Sequence, residues 1–199
     1  MGRRIHQHKS SMKVVFFMVM VALLVLGLYY RNTNKERTTE KEQVKNEVEV
    51  LLQKDLDHKY PETPREVVKI YLRIMKCYFN EEVSKDQLKG LAKQAYQLLD
   101  EELVQANPWK DYMSRLKQEI SSFKEANKKI DRYQIDKGSA VRYYSKDGKD
   151  YASLMVEILS MDEKYRFKTS EQFILRKNDQ GCYKILGWKP VGNADIDER

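Results

Sequence analysis

Apolar residues fall into four regimes along this chain. Val14 to Tyr30 is an unbroken run of 17 uncharged residues. Residues 31–58 are charged, with Val44, Val48, Leu51, Leu52 and Leu56 at helical spacing. From residue 59 three amphipathic stripes follow one another. Beyond residue 129 the period shortens from that of a helix to that of a strand.

The stripes begin at readable signals. Thr39 with Glu42 makes a capping box that predicts a helix over 40–57. Its two apolar heptads can pair with a second copy, but a coiled coil needs three or four. The expectation is a charged helical stalk over 31–58. Pro61 and Pro64 then force their predecessors out of the α region, so the spacer ends in YPETP. Thr63-Pro64-Arg65-Glu66 restarts a helix, with Val67, Ile70, Tyr71, Ile74, Met75 and Tyr78 on one face. Ser84 with Gln87 starts a second, carrying Leu88, Leu91, Ala95, Leu98 and Leu99 and predicted to end near Asn107-Pro108. That pair opens a third, with Trp109, Tyr112, Met113, Leu116, Ile120 and Phe123 on its apolar face.

Ile130–Lys137 and Val141–Tyr144 read as one interrupted strand or two short ones. Lys146-Asp147-Gly148-Lys149 is a hairpin turn. Ala152, Leu154, Val156 and Ile158 alternate. So do Tyr165, Phe167, Phe173 and Leu175, against Arg166, Lys168, Gln172 and Arg176. Asn178 to Gly181 turns the chain into CYKILGWKPV, and GNADIDER (192–199) reads as a flexible tail. Helices followed by an antiparallel meander predict an α+β domain over 59–191: three helices on a bent sheet of four to five strands.

As a helix, Val14–Tyr30 is roughly 25 Å long, the short end of what spans a bilayer. Lys13 and Arg31 flank it, and Tyr29 and Tyr30 suit an interface. A cleaved signal peptide has a shorter apolar region and small residues before the cut, whereas this run ends LGLYYRNTN. The expectation is a retained single span over 14–30, with the lipid bilayer as its partner. Lys and Arg are nearly balanced on the two sides. A short basic leader, residues 1–13, favours the N-terminus inside and the domain outside the cytoplasm.

Charge is uneven along the chain. Residues 1–49 hold nine Lys/Arg and five Asp/Glu, a balance of +4, which leaves +3 of the total +7 for the rest. In the domain the cations are interspersed with acids, which argues against nucleic-acid binding. Two cysteines, Cys77 and Cys182, and one domain histidine, His58, are too few for a zinc site. The sequence leaves open whether the two thiols pair.

The order of elements resembles the nuclear transport factor 2-like (cystatin-like) fold, a bent sheet wrapped around a long helix. The stretches YPETPREVVKIY, NEEVSKDQLKGLAKQAYQLLDEELVQANP and FILRKNDQGCYKILGWKPV resemble an uncharacterised family of short membrane-anchored proteins from Gram-positive bacteria. This resemblance covers about residues 56–191 and implies a tethered domain without a catalytic signature. The fold it implies hosts many functions.

No nucleophile elbow, zinc-binding helix motif or phosphate loop is present. Enzymes of the fold that the resemblance implies place a carboxylate or histidine in a cone between helix and sheet. If strand 165–176 is unbroken, Thr169 and Glu171 share the inner face with Phe167 and Phe173. A β-bulge near Thr169-Ser170 would instead turn Glu171 outward. Tyr71, Trp109, Tyr112 and Trp188 either line such a pocket or pack as core. The leading expectation is a non-enzymatic binding or assembly module outside the membrane, without a cofactor, meeting other membrane or envelope proteins. The alternative is a small-ligand binder or enzyme using the cone. The direction of Glu171 discriminates between them.

Overall fold

A computed structural model describes residues 47–191, together with the backbone of Ile196–Glu198. The span expected over 14–30, the capping pair Thr39/Glu42 and the first part of the expected stalk helix lie outside the described residues. Among the described residues no helix is long and apolar enough to cross a membrane.

The compact unit begins at Glu47, not at residue 59. Residues 47–52 are helical, so the turn stops five residues short of the expected end. Val48, Leu51 and Leu56 are buried in the same core as the later helices. The stripe assigned to a spacer is therefore a packing face. Glu47 is held by Arg73, which donates Nε–H to Oε1 at 2.7 Å and NH2 to Oε2 at 2.9 Å. A Cβ on Gly90 would come within 2.5 Å of Leu52 Cδ2, so the Leu52 side chain packs directly over the bare backbone at position 90.

Four helices follow: α1 Pro64–Asn80, α2 Lys85–Gln97, α3 Glu101–Ala106 and α4 Trp109–Glu125. The Glu66 N–H donates to Thr63 Oγ1 at 3.2 Å at the start of α1. A reciprocal capping box joins Ser84 and Gln87 at α2. The second stripe does not run to Asn107. It breaks at Leu98–Asp100, where Asp100 caps α3 by accepting from the Glu102 N–H at 3.0 Å. The break lies where the chain touches the sheet. Ile185 N–H donates to the Leu98 carbonyl and Asp100 N–H to the Ile185 carbonyl, each at 2.8 Å.

Among the described residues the sheet has six strands and is four positions wide. They are β1 Lys129–Ile135, β2 Arg142–Lys146, β3 Lys149–Met161, β4 Tyr165–Lys177, β5 Tyr183–Pro190 and β6 Ile196–Glu198. β1 and β2 lie end to end along β3, and β5 and β6 along β4, all antiparallel. The tail thus contributes backbone pairing at 196–198. The β2–β3 turn places Asp147 and Gly148 at φ 52° and 74°, the mirror-image turn that an Asp-Gly pair favours. β3 and β4 pair from Tyr151↔Arg176 to Met161↔Arg166 with no shift in register.

One face of the sheet, with Ala152, Leu154, Val156, Phe173 and Leu175, is buried against the helices. Arg176 lies on the other face. It donates Nε–H to Asp100 Oδ2 and NH1 to Glu102 Oε2, each at 3.0 Å, and NH2 to Asp100 Oδ1. Asp100 is 3% exposed, and the guanidinium is held charged by that carboxylate. This pair ties the α2–α3 break to β4.

Removing Arg176 leaves the Asp100 carboxylate buried and unpaired, so Arg176→Ala should lower stability by about 3–5 kcal/mol in urea unfolding. Leu51→Ala should lower it by about 2–5 kcal/mol, as loss of a fully buried side chain does. A chain beginning at Glu47 should unfold cooperatively, and one beginning at Tyr60 should show a lower midpoint. Equal midpoints would mean that residues 47–58 add nothing to the core.

Candidate functional site

A cavity of about 470 Å³ opens between the helices and the sheet. α1 supplies Met75 and Phe79, and α4 supplies Gln118, Glu119, Ser122 and Phe123. Ile130, Ile158, Ser160, Thr169 and Glu171 come from β1, β3 and β4. The Phe79 and Phe123 rings meet at 4.4 Å and close one wall.

Glu171 and Thr169 face inward because β4 is unbroken. Glu171 stands opposite Val156 of β3 and Pro190 of β5, and Thr169 opposite Ile158. Strand residues two apart share a face, so both lie on the side of Phe173 and Leu175. The bulge that would have turned Glu171 outward is absent at 169–170. The register shift in this part of the sheet lies between Ile174 and Leu175, on the β5 side. Burial alone pushes the Glu171 carboxyl above the usual carboxylate range.

None of the aromatic candidates lines the cavity that holds Glu171, though the Tyr71 phenol lies within electrostatic reach of that carboxyl. Tyr71, Tyr112 and Trp188 line an adjoining cavity of about 370 Å³, with Tyr78, Asn107 and Arg115 among its other walls. Both cavities are lined by Met75, Phe79 and Glu119. Tyr71 is also core. Its ring lies 6.2 Å from Phe173 and 5.4 Å from Trp188, which stack on each other at 5.6 Å. The Tyr78 hydroxyl is buried without a well-formed hydrogen bond and faces the Tyr112 hydroxyl electrostatically. Burial pushes the Tyr112 phenol up to about 12. The Trp109 ring lies 6.0 Å from that of Tyr112 but lines neither of these cavities. It packs on Tyr96 at 5.3 Å and lines a groove between α2 and α4 with Lys85, Lys89, Lys110 and Lys117.

The family model described as Domain of unknown function (DUF6715) matches residues 3–188. The chain belongs to this family. No curated protein matches it. The DUF6715 match extends from the N-terminal segment through both cavities into β5, so the cavity walls and residues 3–46 fall within one family unit.

Sequence reasoning missed Gln118, Glu119, Ser122 and Ser160. The signal for Glu119 was present: residues 112, 116, 119 and 123 fall on one helical face, so a charge at 119 occupies a stripe position. Among the described residues of this DUF6715 chain no His/Cys/Asp/Glu group is placed to hold a metal. His58 is exposed and its Nδ1 sits 2.9 Å from Asp55 Oδ2. Cys77, buried, and Cys182, half-buried, are free thiols. Burial pushes the Cys77 thiol up to about 12.

The raised Glu171 pKa has a stability consequence. The folded chain holds the Glu171 proton to higher pH than the unfolded chain does. Stability therefore falls as pH rises from the unfolded carboxylate pKa through the folded one, then levels off. Glu171→Gln removes this dependence. The variant should equal the parent at acid pH and exceed it at neutral pH in urea midpoint. A difference independent of pH would show that Glu171 is not desolvated.

Proposed function

We propose that this domain is a non-catalytic binding module that takes a small ligand into the cavity between α1, α4 and the sheet. The observation that carries the reading is Glu171, directed into that cavity by an unbroken β4. A volume of about 470 Å³ lies within the range of ligand sites, and apolar walls with a few convergent polar groups are their usual chemistry. Binding rather than turnover is favoured because the walls around the Glu119 and Glu171 carboxylates are largely apolar. The long α1 lying on a sheet of two 13-residue strands supports a cystatin-like fold.

The module is held at the membrane by a single span over 14–30 and faces away from the cytoplasm of a Gram-positive cell. The uncharged run, the basic leader and the resemblance of residues 56–191 to anchored proteins support this reading. Confinement to a surface raises its encounters with other envelope proteins.

Full-length protein should stay in the membrane pellet after alkaline carbonate extraction, and protease added to intact wall-less cells should digest residues beyond 60. A soluble product starting near residue 31, or complete protection until lysis, would overturn the placement. For the cavity, a neutral probe, 4-phenylbutan-1-ol, should bind the full-length chain in calorimetry. Ser160→Phe, which fills the cavity, should abolish that binding without lowering the unfolding midpoint. Unchanged binding in the filled variant would overturn the reading.

A further inference from the structure

We infer that the ligand of this cavity is a lipophilic cation: an apolar body bearing a protonated or quaternary amine. The inference rests on the cavity being a ligand site and adds the charge of what enters it.

The argument begins with the lining. Glu119 and Glu171 are the ionisable side chains among the residues that form the walls. No Lys, Arg or His is among them. The other walls are apolar, hydroxyl or amide groups. Every element around Glu171 confirms the imbalance. β3 presents Val156 and β5 presents Pro190 across from it. α1 presents the Tyr71 phenol, and α4 presents Glu119 across the cavity. None is cationic.

Neither carboxylate is satisfied within the protein. The Glu171 side chain makes no ion pair or hydrogen bond among the described residues, nor does that of Glu119. By contrast, Asp100 and Glu47 each engage an arginine. The half-buried Glu171 carboxylate, partly taken out of water without a partner, is unfavourable, and an entering cation relieves that. An entering anion meets two like charges across a partly dry space, where repulsion is stronger than in water. The paired Phe79 and Phe123 rings add a π surface of the kind that attracts ammonium groups. Glu119 is exposed and Glu171 half-buried.

The test compares three probes of one shape: 4-phenylbutylammonium, 4-phenylbutan-1-ol and 4-phenylbutanoate. Each is titrated calorimetrically into the full-length chain in phosphatidylcholine nanodiscs, with empty discs as blank. At pH 7.5 (about three pH units above an ordinary Glu pKa) the ammonium should bind about tenfold tighter than the alcohol, the scale of one charge-assisted contact. The carboxylate should bind weakest. The gap between ammonium and alcohol should close as pH falls and Glu171 takes up a proton. Glu171→Gln should shrink the gap between ammonium and alcohol. Glu119→Gln, at an exposed position, gives the same reading if the first variant fails to fold. An ammonium no tighter than the alcohol, or a gap that survives both substitutions, overturns the cation. Alcohol binding would then leave the cavity standing as a site for neutral molecules. Failure of all three probes overturns the cavity as a binding site, and the cation with it.

Discussion

The unshifted pairing of β3 with β4 decides what every other part of the domain meets. Side chains alternate along a strand, so a slip of one residue would carry Phe173 and Leu175 to the open face and bring Gln172 and Arg176 under the helices. With the register as it stands, α1 finds an apolar floor. Thr169 and Glu171, continuing the same row, become the polar end of that floor. The site is an extension of the core rather than an addition to it. Its position follows from where the apolar residues of β4 run out.

The opposite face uses the same register in another way. Arg176 stands outward because Leu175 stands inward, and it therefore reaches Asp100. That contact holds the break between α2 and α3, which in turn presents Leu103 and Asn107 to the second cavity. The two cavities are thus organised from the two faces of one strand. A buried ion pair is weak as a source of net stability. Here its role is placement: it fixes where one helix stops and the next begins.

Much of this was legible beforehand. Thr63, Ser84 and Asn107-Pro108 mark helix starts through short-range chemistry. The Asp147-Gly148 turn and the alternation through Glu171 are equally local. What was hidden depends on distant partners. Val48, Leu51 and Leu56 announce a buried face but not what buries it, so they passed for a spacer. Leu98 and Leu99 continue the apolar period of α2. Only contact with Ile185 and Arg176 ends the helix there. Tyr71, Trp109 and Tyr112 share an aromatic character, and three-dimensional packing alone decides that Tyr71 and Tyr112 line a cavity that Trp109, though its ring meets Tyr112, does not.

The sheet's borders carry a further consequence. On one side the outer position is divided between β1 and β2, with the chain leaving the ladder at Asp136 and turning through Gly138–Ala140. There the Asp136 carbonyl accepts from Arg65 at 2.8 Å and its carboxylate from the Met155 N–H at 2.9 Å, so groups at the gap are used internally. On the other side Leu98–Asp100 occupies part of the rim of β5, and Leu186 interrupts its spacing. A long, straight, unpaired rim is a template on which another chain can add a strand. Broken on one side and partly capped on the other, this sheet offers no such continuous template, and copies crowded together gain little by joining edge to edge.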